Sequence, residues 1–420
     1  MNENITSKLK NNIWRLVILT IAGSLIYGLP YFRSYYYDAY LETYHLTNTQ
    51  MGTFGSIFGI LGAISYLFGG IVADMVSPRK IMSVSLILTG AAGLLHLMHP
   101  SYGMLVVIYL IWGFTSLFAF WPALLKGLRG IAAEHEQSKA YGFMEGGRGI
   151  INAVHLAITL AIFNFLSKTA GNLGGLNGVI TFYSVIVILL GILVFFLMKD
   201  NTTAANGEKF NFKQVITVIK MPAIWILSLI LCCTYTMNIS FYYFTPYATS
   251  SFGITATAAA IVTMMSQYIR PVGSMGGGIL ADRLGRSKVM FIGFFLMGVS
   301  TFIIALLPNM SVPFFIVVCA IIYLGMYLNY GIIFSMMEEG GIPASVAGTA
   351  IGVVCTLGYL PEVICPTLAG HVLDTYTELG YKYYFIGVGI VMVVGIAALL
   401  IWNRYLAGIN KKNSREASAC

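Results

Sequence analysis

Two stretches of one pattern decide how this chain is read: "GILADRLGRSK" (Gly278–Lys288) and "GIVADMVSPRK" (Gly70–Lys80). Each is polar and short, and apolar runs flank it on both sides. About 20 apolar residues suffice to cross a bilayer as a helix. One loop repeated at matching places in two halves marks an internally duplicated chain. Working outward, apolar runs fall at roughly 14–41, 48–73, 80–98, 103–127, 139–166 and 177–198, then 222–248, 254–280, 288–307, 312–337, 346–372 and 383–405. They divide six and six about the polar stretch "KDNTTAANGEKFNFKQVITVIKM", residues 199–221.

Composition agrees with a membrane environment. Hydrophobic residues make up 58% of the 420 and charged residues 10%, with a mean hydropathy of +0.81. Soluble domains run near half apolar and a quarter charged. The expectation is an all-α membrane protein of twelve transmembrane helices. Its domains would be residues 1–198, a cytoplasmic linker over 199–221, and 222–420 with a short cytoplasmic tail. The apolar run after Trp14 is too long for a removable signal and has no small-residue cleavage site. With 26 Tyr against 5 Trp, phenols exceed what a lipid-facing belt needs, so some are expected to line a cavity. The six cysteines show neither paired spacing nor a His in ligand register, so no disulfide framework, metal site or cofactor is expected.

Charge placement gives the orientation, because short cytoplasmic loops retain Lys and Arg. With the N-terminus inside, only Lys168 and Lys382 fall in outer loops, and both termini are cytoplasmic. The net charge of +8 is thus topological, and nucleic acid is not an expected partner. Arg33, Arg148 and Arg270 remain, all inside spans.

The second loop fits G-x-L-A-D-R-x-G-R-x-K without a gap, and with it the chain resembles the major facilitator superfamily of secondary transporters over residues 14–405. The resemblance implies two pseudo-symmetric six-helix bundles rocking about a central cavity. It also implies a cytoplasmic gate at these loops, with Asp74 and Asp282 at helix ends of the opposite bundle and Arg79, Arg283 and Arg286 in a charge relay. The first copy departs from the pattern at Met75, Ser77 and Pro78. More narrowly, "FWPALLKGLRG" (Phe120–Gly130) with "SKAYGFMEGGRG", and "EEGGIPASVAGTAIG" with "LGYLPE", look like bacterial organic-anion and organophosphate permeases. Span 7 lacks the arginine of organophosphate antiporters, span 2 lacks that of nitrate porters, and span 5 lacks the proline of multidrug antiporters.

Polar stripes pick out candidate residues. In span 5, Glu145, Arg148, Asn152 and His155 stand at i, i+3, i+7 and i+10, one face of a helix. Charge in the hydrocarbon is costly, so that face should meet protein or water. Tyr235, Asn238, Tyr242 and Thr245 share a face of span 7; Gln267, Arg270 and Ser274 one of span 8; Tyr323, Tyr327 and Tyr330 one of span 10. Span 1 carries Arg33 among Tyr27, Tyr31, Tyr36 and Tyr37. Guanidinium forks bind carboxylate or phosphate bidentately, and aromatic faces suit a carbon skeleton. The expected cargo-binding set is Arg33, Arg148, Arg270, Tyr36, Asn152, Tyr235, Asn238, Tyr242, Gln267 and Tyr327.

No phosphate-binding loop of the G-x-x-x-x-G-K-[ST] kind occurs, so an ion gradient must supply the work. Glu145 and Glu362 are the proton-carrying candidates, with Asp38 and Asp374 nearer the outer surface. Glu338 and Glu339 are expected to face Lys126 or Arg129 as an inner gate. The expected function is proton-coupled uptake of a small organic anion, such as a sugar acid, carboxylate or phosphorylated metabolite. The protein would act as a monomer in a bacterial inner membrane. Alternatives are an exporter or antiporter of drugs or metabolites, or a sensor that binds without transport. An enzyme is not expected, since no nucleophile, metal cluster or cofactor loop stands out.

Overall fold

A computed structural model describes residues 8–132, 137–198, 212–307, 310–343, 346–377 and 379–419. The side chains of Asp74, Glu145 and Glu338 lie outside the described residues, as do linker residues 199–211. Among the described residues there is no strand, and every expected span is helical.

Proline sets most of the irregularities, because it lacks an N–H and crowds the carbonyl four residues back. In span 1, Pro30 resets the helix, and Ile13–Leu25 meets Gly28–Tyr35 at 45°. The span ends with Tyr37–Tyr44, closed by His45 in left-handed conformation. In span 4, Pro122 would crowd the carbonyl of Phe118. There the helix widens to π geometry over Phe114–Phe120 between Tyr102–Gly113 and Trp121–Ile131. Span 7 runs Pro222–Ser240, tightens over Phe241–Tyr243 and resumes as Phe244–Phe252, with Pro246 four residues past Tyr242.

Span 11 is two half-helices, Ala347–Gly358 and Pro361–Thr375. Spans 5 and 6 form one run, Gln137–Leu197, broken only at Ala170 and Gly171; Gly171 has φ 65°. Caps fix the starts of others: Thr47 and Gln50 form a capping box at Asn48–Met75 (span 2), and Thr255 caps Ala256–Leu284 (span 8). Spans 3, 9, 10 and 12 are Pro78–His96, Arg286–Leu306, Val312–Ile332 and Gly380–Ala419. By length and apolarity alone, seven described helices could each cross a membrane, or eight with the bent pair of span 1. One of the seven, Gly146–Leu197, holds spans 5 and 6 together.

In the first half, span 3 packs on span 6, span 1 on span 5 and span 2 on span 4. In the second, span 8 packs on span 10, span 9 on spans 10 and 12, and span 7 on spans 11 and 12. The halves join chiefly where span 2 meets span 11 and span 5 meets span 8, and span 1 also touches spans 7 and 8. The end of the linker is the short helix Phe212–Ile219, whose last carbonyl, Ile219 O, accepts from Trp225 Nε1 at 2.8 Å.

Candidate substrate site between the two halves

The join of spans 2 and 11 explains how a carboxylate comes to lie on the boundary. A Cβ at Gly52 would stand 2.1 Å from Pro366 O, and one at Gly59 would stand 2.6 Å from the carbonyl carbon of Glu362. Only hydrogen at those positions lets the two backbones meet. Pro361 opens the second half-helix of span 11, which puts Glu362 in its first turn, with only 8% of the residue exposed.

Two phenols satisfy the Glu362 carboxylate. Tyr31 of span 1 donates to Oε1, and Tyr235 of span 7 donates to Oε2 at 2.6 Å. The first bond crosses between halves and the second stays within one. Tyr242 stacks on Tyr31 with ring centroids 5.8 Å apart and meets Tyr35 edge-on at 5.7 Å. Tyr31, Arg33, Tyr37, Tyr242 and Glu362 line one cavity.

The three arginines have different surroundings. Arg33 is 8% exposed; its guanidinium lies 5.2 Å over the Tyr109 ring, and Nη1 donates to Met51 O at 3.4 Å. Its Nε makes no hydrogen bond, a cost a buried donor bears unless a ligand fills it. Arg148 is held within the first half, its Nε donating to Gly23 O at 3.1 Å and its guanidinium 4.8 Å from the Trp121 ring and 5.8 Å from Tyr27. Arg270 lies 5.8 Å over Tyr327 in the second half. Arg33 thus lines the Glu362 cavity, whereas Arg148 and Arg270 are outside its lining.

Between spans 5 and 8, Asn152 Nδ2 donates to Gln267 Oε1 at 3.3 Å, and Asn152 Oδ1 meets His155 Nε2 at 3.2 Å. His155 Nδ1 pairs with Tyr183 at 2.8 Å, so the stripe read from sequence is a relay reaching the opposite half. Asn238 donates to Met326 Sδ at 3.7 Å, and Tyr36 stacks on Phe163 at 4.4 Å inside the first half. Tyr323 donates to Val262 O at 2.9 Å, a bond within the second half.

Asp374 at the end of span 11 accepts from the Asn48 amide, Asn48 Nδ2, the Thr49 amide and Thr49 Oγ1 at 3.0, 2.9, 2.8 and 2.6 Å. Thr249 of span 7 donates to Asp38 of span 1. Both carboxylates therefore bond across the halves. At the loops of the repeated pattern, Asp282 and Arg283 are exposed and Arg79 lies 5.1 Å over Phe195. Glu339 was expected to face Lys126 or Arg129; it pairs with Arg286 at 2.9 Å, inside its own half, and the side chains of Arg129 and Glu338 lie outside the described residues. Sequence reading named Tyr31 and Asp374 without giving either a place in the site. Their partners, Glu362 and Thr49, are 331 and 325 residues away.

Twelve helical spans pack as two halves joined around a buried carboxylate. The pattern described as Major Facilitator Superfamily matches residues 16–366, and the chain belongs to that superfamily of secondary transporters. It is 27% identical over 385 residues to "Inner membrane protein YihN" of Escherichia coli (strain K12), covering 89% of this chain and 91% of that protein. It is 28% identical over 372 residues to "Inner membrane protein YqcE" of the same organism, covering 86% and 87%. Among solved structures, a bacterial homolog of the human lysosomal transporter Spinster, inward-facing and unoccupied, matches with TM-score 0.78 at 14% identity, covering 94% of this chain and 98% of that one.

Proposed function

We propose that this chain imports a small organic anion together with protons, by alternating access, as a monomer in a bacterial inner membrane with both termini cytoplasmic. The inner-membrane names of two relatives support the location. The observation that carries the reading is that Arg33, with a free donor, and Glu362 line one cavity on the boundary between halves. A guanidinium is the group of choice for a carboxylate or phosphoryl head, and the tyrosine faces beside it suit a carbon skeleton. Glu362 is the proton carrier. Arg148 and Arg270 bias the surrounding field, and Asn152 and Gln267 join the halves beside the cargo. Asp74, Arg79, Asp282, Arg283 and Arg286 form the inner gate, and residues 199–221 tether two domains that move as units.

The test is a thermal-shift screen of purified protein, since a ligand selective for the native state raises apparent stability with saturation. Sugar acids, carboxylates and phosphorylated sugars form one panel and lipophilic cations another. The reading expects a shift with one anion class that Arg33→Ala removes. A second reading, drug export, draws on the tyrosine faces around a buried acid, which suit a cation as well. Shifts confined to lipophilic cations and lost in Glu362→Gln would replace the first reading with the second.

A further inference from the structure

The two phenols on Glu362 sit in different halves of the molecule. Each has one proton, and each donates it to a different carboxylate oxygen. That arrangement needs an acceptor at both oxygens, which an ionised carboxylate supplies. Once Glu362 takes up a proton, one of its oxygens becomes a donor, and the two bonds can no longer both stand as they are. The bond that remains is also weaker, because a charge-assisted hydrogen bond is about twice as strong as a neutral one.

Tyr235 and Glu362 lie on spans 7 and 11, which pack together, and they keep their relation when the halves move. Tyr31 does not, since it belongs to span 1. Its ring is fixed by Tyr242 at 5.8 Å and by Phe58 edge-on at 5.3 Å, so its hydroxyl has a set direction. We infer that Tyr31 is the positioning residue through which the opposite half senses whether Glu362 is charged. With Glu362 ionised the bridge stands and the halves stay closed above it; with Glu362 protonated the bridge is released.

The other groups facing Glu362 do not duplicate this role. Arg33 of span 1 acts on it through charge. Tyr66 of span 2, Tyr242 of span 7, Tyr330 of span 10 and Tyr359 of span 11 surround it without a hydrogen bond to the carboxylate among the described residues. At the outer rim, Asp38 and Asp374 are the further carboxylates with bonds across the halves, and the experiment separates them from Glu362.

The inference rests on Glu362 being the proton carrier. Fluorophores on unnatural residues at exposed His45 and Ser251, one on the outer side of each half, report the outer gap in single reconstituted molecules as pH is varied. No cargo is required. The expected result is a gap that widens on acidification in the wild type, and loses that response in Glu362→Gln and in Tyr31→Phe. Tyr235→Phe, which removes the bond within one half, should keep the response. A wild type without response, or a response that survives Glu362→Gln, removes both the proton reading and the inference. A response intact in Tyr31→Phe, or lost equally in Tyr235→Phe, removes the inference alone. The two Tyr→Phe variants keep their rings and Glu362→Gln keeps its shape, and a melting temperature near the wild-type value confirms that each is folded.

Discussion

Asp374 holds Thr49 across the boundary between the halves, its Oδ2 accepting from the Thr49 amide at 2.8 Å and from the hydroxyl at 2.6 Å. Oδ1 takes the amide and side-chain nitrogens of Asn48. The first N–H groups of a helix have no partner within it, and they carry the positive end of its dipole. A carboxylate from the second half thus caps the helix that begins at Asn48 in the first.

Asp374→Asn should loosen this closure. Losing a cap of this kind costs about 1 kcal/mol, roughly a fivefold change in a two-state ratio. The rate at which an impermeant thiol reagent reaches a cysteine placed at Tyr37, in a background without native cysteines, should rise by about that factor. An unchanged rate would mean that the cap does not hold the outer side shut.

The arginines should separate by phenotype. Arg33→Ala should abolish the thermal shift given by an anionic ligand while the protein remains folded. Arg148→Ala should lower the melting temperature instead, since it strips a charged donor from Gly23 O and leaves a gap between Trp121 and Tyr27. Such a bond contributes about 1.5–3 kcal/mol. Full stability in Arg148→Ala, with ligand binding lost, would return that residue to the cargo site.

Close approach of spans 2 and 11 makes Gly52 intolerant of a methyl group. Gly52→Ala should cost about 1–3 kcal/mol through overpacking against Pro366, read as a lower melting temperature. Gly276→Ala serves as the control, because a Cβ there meets nothing within 4 Å. It should be neutral or stabilising by up to about 1 kcal/mol, as alanine is the better helix former.

Coupling should fail separately from transport. In proteoliposomes, Glu362→Gln should abolish accumulation driven by a proton gradient, so that internal and external cargo merely equalise, while exchange of labelled for unlabelled cargo continues. Wild-type accumulation by this variant would move the proton to another carboxylate, with Glu145 next to be tested.

The fold was legible because hydrophobic run length and two copies of one loop are properties of contiguous sequence. Broken helices were partly legible: Pro361 announced the break of span 11. The candidate site was less so. The stripe of Asn152 and His155 was read as one face because helical phase fixes a face, and from it Asn152 meets Gln267 of the other half. Phase does not say what the face meets. Arg148 was read as facing cargo; that its Nε bonds the backbone carbonyl of Gly23 is a contact side-chain identity cannot reveal. That Glu339 also has a partner in its own half, Arg286 at 2.9 Å, was not legible in the sequence. Tyr31 was one tyrosine among several until a partner far along the chain distinguished it.

The break between Gly358 and Pro361 divides span 11 into two segments with different neighbours. Its outer segment is bolted to span 2 where Gly52 and Gly59 admit its backbone, and Asp374 pins the far end. Its inner segment bears the linker helix Phe212–Ile219. One span thus takes part in both joints between the halves, the segment Ala347–Gly358 through the linker helix and the segment Pro361–Thr375 through its seam with span 2.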